Sequence, residues 1–186
     1  MKILVVVDAQ NDFVTGALAN PEAQKVIPHL YDKIKSSIEE GWKVVFTQDT
    51  HWASNYETSM EGKYLPVPHC LDESDGWYIV PELKEFWEGN WRLVKHRFGD
   101  MHLYERIERC FPNEIEKEPL EEIQLVGFCT DICVVSNALI LKASVYGENT
   151  IISCDATCCA GTSIDAHNAA LTVMRSCQVE VEEYDY

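Results

Sequence analysis

Positive charge is scarce in this chain. Fifteen Lys and Arg stand against 31 Asp and Glu, a net charge of −16. A surface of that sign repels phosphate backbones and anionic lipid, so neither nucleic acid nor a membrane is an expected partner. Long apolar runs are missing too. The apolar start at residues 1–7 meets Asp8 far too early for a signal-peptide core, and no stretch reaches the length of a bilayer span. The eight cysteines are therefore expected to be reduced thiols of a cytoplasmic protein rather than a disulfide framework. Cys154, Cys158 and Cys159 crowd together without the paired C-x-x-C spacing of a zinc site, and a structural role is expected for them. Internal repeats, low-complexity segments and linkers are also absent. With 46 % hydrophobic and 25 % charged residues, the balance is that of an ordinary globular protein, and one domain over residues 1–186 is expected.

What is present is organised around residues 121–143, EEIQLVGFCTDICVVSNALILKA. An apolar run at 123–128 follows two acidic residues and reads as a buried strand of a parallel sheet. After Cys129 and Thr130 the pattern turns helical, with Ile132, Val135 and Leu139 on one face. Thr130 suits an N-cap, and Asp131 lies where the helix dipole favours a carboxylate. Cys133 then falls in the first turn, where unpaired amides favour a thiolate. Most cysteines are inert small hydrophobes. Cys133 gains meaning only if a base and a charged partner join it.

The rest of the chain supplies both. Residues 3–7 form a buried strand that ends in Asp8, and residues 43–48 form a second that ends in Asp49. A third strand at 91–94 runs directly into Lys95, and a fifth is expected at 149–153. Val179, Val181 and Tyr184 alternate with glutamates as in an edge strand. Between the strands, helical patterns are read at 21–40, with Pro28 inside, and at 81–87 and 100–110. Thr162 with Asp165 marks the cap of a helix through Met174. Residues 9–20 read as a loop, 112–119 as an acidic connector, and 50–75 as a long loop of functional type. The alternation predicts a three-layer α/β/α fold around a doubly wound, mostly parallel six-stranded sheet. In such a sheet Asp8, Asp49, Lys95 and the Cys133 turn share the carboxyl edge. Asp8 can there accept the thiol proton, with Lys95 holding the charges.

VVDAQNDF at residues 6–13, Lys95 after a strand and GFCTDIC at 127–133 together resemble the isochorismatase-like cysteine hydrolases. The resemblance covers nearly the whole chain. It implies a catalytic set of Asp8, Lys95 and Cys133. It also implies a cis peptide between Phe128 and Cys129, and oxyanion donors at the amides of Cys129 and Cys133. Within the family, DTH at 49–51 and PHC at 68–70 are similar to nicotinamidases, which implies a divalent metal on Asp49, His51 and His69, with Glu61 as a further ligand ahead of Glu57. Residues two apart on an extended strand face the same way, so Asp49 and His51 can share an ion. Nitrogen and carboxylate donors suit zinc first, then manganese or iron. Nicotinamidases often carry a tryptophan just before the second histidine. Here the segment is YLPVPHC, leaving Phe13, Leu65 and Phe128 as the substrate-facing candidates, with Tyr64 as an alternative to Leu65 and Trp52 beside His51. The implied activity is hydrolysis of a small amide, nicotinamide first, with a carbamoyl or ureido substrate or a catalytically silent binding protein as alternatives. The expected partners are that substrate and further copies of the chain.

Overall fold

The computed structural model describes residues 1–145 and 149–183. Six strands, β1 Lys2–Val7, β2 Lys43–Asp49, β3 Trp91–Lys95, β4 Glu122–Phe128, β5 Ile151–Ala160 and β6 Glu180–Glu182, form one sheet in the order β3-β2-β1-β4-β5-β6. Every pairing is parallel, so the expected mostly parallel sheet is wholly so. Alternate residues point to opposite faces. Ile3, Val5, Ile123 and Leu125 join a core with Leu103, Ile107, Ala138, Leu141, Leu171 and Met174, which come from α5 (Leu103–Cys110), α7 (Val135–Ser144) and α8 (Ile164–Ser176). Leu4, Val6, Val44, Phe46 and Val126 pack on the other face with Ile27, Leu30, Ile34 and Trp87, from α2 (Pro21–Glu39) and α4 (Lys84–Gly89). Both faces are covered, which gives the three-layer α/β/α architecture and explains why the central strands read as unbroken apolar runs.

Several local expectations are corrected. Pro28 does not divide α2, which is continuous. The proline is exposed, so the freed carbonyl one turn back faces water. Two segments read as loops or connectors contain short helices: α1 Asn11–Val14, and α6 Pro112–Lys117 with Pro at its first position. The 50–75 loop contains a 3₁₀ turn, Tyr56–Thr58, and α3, Met60–Tyr64, capped by Ser59. Strand β5 runs on past Ser153 to Ala160, with a register shift between its pairings at Leu125 and Gly127. Ser163, not Thr162, caps α8 by accepting from the Ala166 amide. Val179 is buried and Val181 lies in the edge strand β6; Tyr184 lies outside the described residues. Cys154, Cys158 and Cys159 are buried free thiols.

The chain moves from β1 outward to β3, then crosses to β4 on the other side of β1. The β1/β4 boundary is thus the switch point of the sheet, where the carboxyl ends open a crevice. Phe46 is fully buried in the middle of this arrangement. Phe46→Ala should lower unfolding free energy by about 3–5 kcal/mol, whereas Ile38→Ala, on the exposed side of α2, should change it by no more than about 0.5 kcal/mol. Urea titrations of both variants check this; equal losses would mean that the buried layer is not what holds α2 on the sheet.

Candidate active site and metal centre

Three residues meet at the switch point from three strands. Asp8 follows β1, Lys95 ends β3, and Cys133 lies in the turn Thr130–Val134 that joins β4 to α7. Lys95 Nζ is 2.6 Å from Asp8 Oδ2, 3.6 Å from Cys133 Sγ and 3.0 Å from the Arg97 carbonyl. All three side chains are buried. Strand β2 lies between β3 and β1, so the two backbones stand about two strand spacings of roughly 4.8 Å apart. The extended lysine stem covers most of that gap and the Asp8 side chain the rest. Asp8 has φ 48°, a left-handed conformation that aspartate tolerates better than most residues. Its Oδ1 accepts from Thr47 Oγ1 at 2.7 Å.

Burial governs the protonation of this cluster. It pushes the Cys133 thiol well up; the Lys95 ammonium pulls it back, while Asp8 and Asp49 push it further. Burial likewise raises Asp8 against the pull of Lys95. Lys95 itself loses to burial but is held firmly protonated by Asp8, the Cys133 sulfur and Asp49. Burial thus works against the free thiolate that a helix start alone would suggest, and the Lys95 ammonium works for it. Burial also carries the neighbouring Cys129 up to about 12.

Asp49 lies directly beside Lys95 in the sheet register and connects two clusters. Its Oδ1 is 3.4 Å from Lys95 Nζ. Its Oδ2 is 3.0 Å from His51 Nε2 and 3.6 Å from His69 Nε2. Glu61 Oε1 is 3.6 Å from both imidazoles. One donor atom from each of the four residues lies within 4.8 Å of every other. His69 Nδ1 is 2.9 Å from the Val67 carbonyl, which can only accept, so Nδ1 carries a proton and it is Nε2 that faces the cluster, where the neutral ring presents a lone pair. That is the orientation a metal-ligating imidazole needs. Two imidazoles and two carboxylates, turned inward and buried or nearly so, fit a divalent ion of the zinc, manganese or iron type. Among the described residues no other His, Cys, Asp or Glu group has this geometry.

A cavity of about 1490 Å³ opens over both clusters. Phe13 and Leu65 line it, as do Tyr64 and Trp52, whose ring lies 4.4 Å from that of His96. Phe128 does not line it. Strand alternation turns its side chain into the layer under α2, where it is fully buried. Its contribution is the cis peptide to Cys129. Glu57 stays outside the metal group.

Two positioning residues escape a residue-by-residue reading. Gln10, fully buried, brackets the backbone of Asp49: Oε1 accepts from the Asp49 amide at 2.8 Å and Nε2 donates to its carbonyl at 2.9 Å. The Asp12 carboxylate accepts from the amides of Ala17 at 2.8 Å and Cys70 at 2.7 Å, and so ties α1 to the residue after His69. It fits only because positions 16 and 76 are glycine; a Cβ there would come within 2.3 Å and 2.0 Å of its oxygens. The available signal was polar residues at every second position, 8, 10 and 12, directly after a buried strand.

The crevice therefore joins a buried Asp-Lys-Cys cluster to a candidate metal group, in the manner of a hydrolase site on a doubly wound sheet. The chain belongs to the isochorismatase domain family, whose model matches residues 2–185. It is 27 % identical over 191 residues to the nicotinamidase/pyrazinamidase of Mycobacterium tuberculosis, covering 97 % of this chain and 98 % of that protein. Among solved structures it is similar to the pyrazinamidase of Pyrococcus horikoshii in complex with zinc, with a TM-score of 0.76, 22 % identity and coverage of 98 % and 99 %. It is also similar to the N-carbamoylsarcosine amidase of Thermoplasma acidophilum, with a TM-score of 0.76, 25 % identity and coverage of 100 % and 97 %.

The Lys95 ammonium lowers the thiol pKa from what burial alone would impose. Lys95→Met removes that cation, so the thiol pKa rises and alkylation of Cys133 should move to higher pH. Iodoacetamide labelling against pH, read at the Cys133 peptide, checks this. An unchanged profile would show that the ammonium does not act on the sulfur.

Proposed function

We propose that the chain is a cysteine-dependent amidohydrolase that cleaves a small carboxamide, nicotinamide first, to the acid and ammonia. The observation that carries the reading is the buried ammonium of Lys95 in contact with both Asp8 and Cys133. Family membership and the nicotinamidase relatives support hydrolysis of a non-peptide C–N bond as the reaction class. In this reading Asp8 takes the proton of Cys133 as the sulfur attacks the amide carbon. The new oxyanion is held by the amides of Cys129 and Cys133. Asp8 returns its proton to the leaving nitrogen, ammonia departs and an acyl-thioester remains. Water then attacks with Asp8 as base, which restores the thiol and releases the acid. Throughout, Lys95 offsets the negative charge that moves between Asp8 and the sulfur.

Asp49, His51, His69 and Glu61 would hold a divalent ion, zinc foremost, which when bound supplies a fixed positive charge for a ring nitrogen or a water. Phe13 and Leu65 supply apolar walls to the same cavity. One feature favours a second substrate class. The segment before His69, Leu65-Pro66-Val67-Pro68, has no aromatic ring to stack on a pyridine, and the N-carbamoylsarcosine amidase neighbour covers the whole chain. A carbamoyl compound is accordingly the second reading.

Ammonia release from a panel that includes nicotinamide, pyrazinamide and N-carbamoyl amino acids discriminates the two. Cys133→Ala should lower kcat on the best substrate by at least about 10⁴-fold with the fold retained; turnover at a comparable rate would replace the thiol with a water nucleophile. The protein should carry about one divalent ion per chain, and His51→Ala combined with His69→Ala should remove it. Elemental analysis showing equal metal in both proteins would reject the ligand set.

A further inference from the structure

The turn that carries Cys129 and Cys133 is fastened from outside by residues that the reaction does not use. Thr130 lies between the two proposed oxyanion donors and is fully buried. Its Oγ1 is 2.8 Å from His167 Nδ1 of α8. The next residue, Asp131, accepts from the Thr162 amide at 2.8 Å and from its hydroxyl at 2.6 Å. Behind the nucleophile, Asn137 Nδ2 donates to the Cys133 carbonyl at 2.8 Å, while its Oδ1 accepts from the Asp100 amide at 2.9 Å.

These contacts exist because the turns after β4 and β5 lie side by side. Phe128 pairs with Ala160 at the last rung of the two strands, and the next residue along β5 is Gly161. A Cβ on Gly161 would come within 2.8 Å of Asp131 Oδ1 and 2.9 Å of His167 Cα and Cβ. The glycine is thus what lets α8 approach the nucleophile turn closely enough for His167 to reach Thr130. Neither residue serves the ordinary need of its place. Ser163 already caps α8, and the Thr130 hydroxyl bonds His167 of another helix.

We propose that His167 is a positioning residue for the oxyanion turn, acting through the Thr130 hydroxyl. The inference rests on the reading of Cys133 as nucleophile with the amides of 129 and 133 as oxyanion donors. A buried hydroxyl without a partner is costly, so Thr130 is driven to whichever backbone arrangement keeps its bond. The imidazole therefore selects one setting of the peptides on either side of Thr130. Half-burial lowers the His167 pKa, which keeps the ring neutral and Nδ1 available at neutral pH. Oxyanion donors act on charge that develops only in the transition state. A slackened turn should consequently reduce kcat and leave substrate binding alone.

The test is a double-mutant cycle with Thr130→Val, which keeps volume and removes the hydroxyl, and His167→Ala. On the best amide of the panel each single variant should lower kcat by about ten- to a hundredfold with KM changed less than about twofold. The double variant should be no worse than the poorer single. His167→Asn, which places an amide group near the Nδ1 position, should recover part of the loss. Amide hydrogen exchange of the 129–134 peptide should quicken by about tenfold in both singles and in the double, with peptides of the central strands unchanged. Additive kcat losses, a KM effect equal to the kcat effect, or unaltered exchange at 129–134 would each overturn the proposal. If the wild-type protein and Cys133→Ala turn over no amide alike, the proposed reaction fails; the exchange measurement then decides whether the clamp exists on its own.

Discussion

The site depends on one buried positive charge. Lys95 brings its ammonium into a space where Asp8, Asp49 and a cysteine converge, all of them buried at the floor of the cavity. Two carboxylates confined like this would repel each other and neutralise by protonation. The ammonium lets both stay in place, and in return they make its own burial tolerable. Breaking such a cluster by removing one member costs far more than the cluster contributes relative to an apolar filling. Its presence is therefore not explained by stability alone. It also explains the register of the sheet: β3 ends at the rung where Lys95 lies beside Asp49, two strands from Asp8.

From that charge the rest of the crevice follows outward. Asp49 faces Lys95 with one oxygen and the imidazoles with the other. Gln10 grips the backbone of Asp49, and Asp12 grips the backbone after His69. The segment directly after β1 thus contributes a carboxylate to one cluster and backbone anchors to the other. A single short stretch of chain sets the distance between them.

Much of this was legible in the residues, for reasons of packing. Strands buried on both faces must be apolar throughout, so β1, β2 and β4 announced themselves, and a charged residue at the end of such a run could only lie at the sheet edge. What stayed hidden were elements whose cause lies elsewhere in the chain. Strand β5 continues through Asp155 and Thr157, polar residues that no apolar pattern extends across, because a register shift lets Asp155 bond Thr157 and Lys33. Helix α6 is six residues of mostly polar sequence with no fully buried residue, only Ile115 packing on the core. Thr130 and Thr162 looked like helix caps because threonine caps helices. They are engaged instead by His167 and by Asp131, 37 and 31 residues away, and no local rule encodes such a partner. Phe128 was misplaced because a residue next to a site need not face it.

Gly127 makes a different kind of demand. It sits opposite Val7 in the pairing of β1 with β4, has φ +113°, and a Cβ there would lie 2.1 Å from the Val7 carbonyl oxygen. It has no functional group and does not line the cavity. Yet the two strands that deliver Asp8 and the Cys133 turn are in contact at this rung, just before each of them leaves the sheet or turns. Any side chain would push the strands apart where their spacing sets the reach from acid to thiol. A residue without chemistry is thus as constrained as the groups around it. The cavity walls leave room for other side chains, whereas this hydrogen atom has no substitute that the strand spacing would admit.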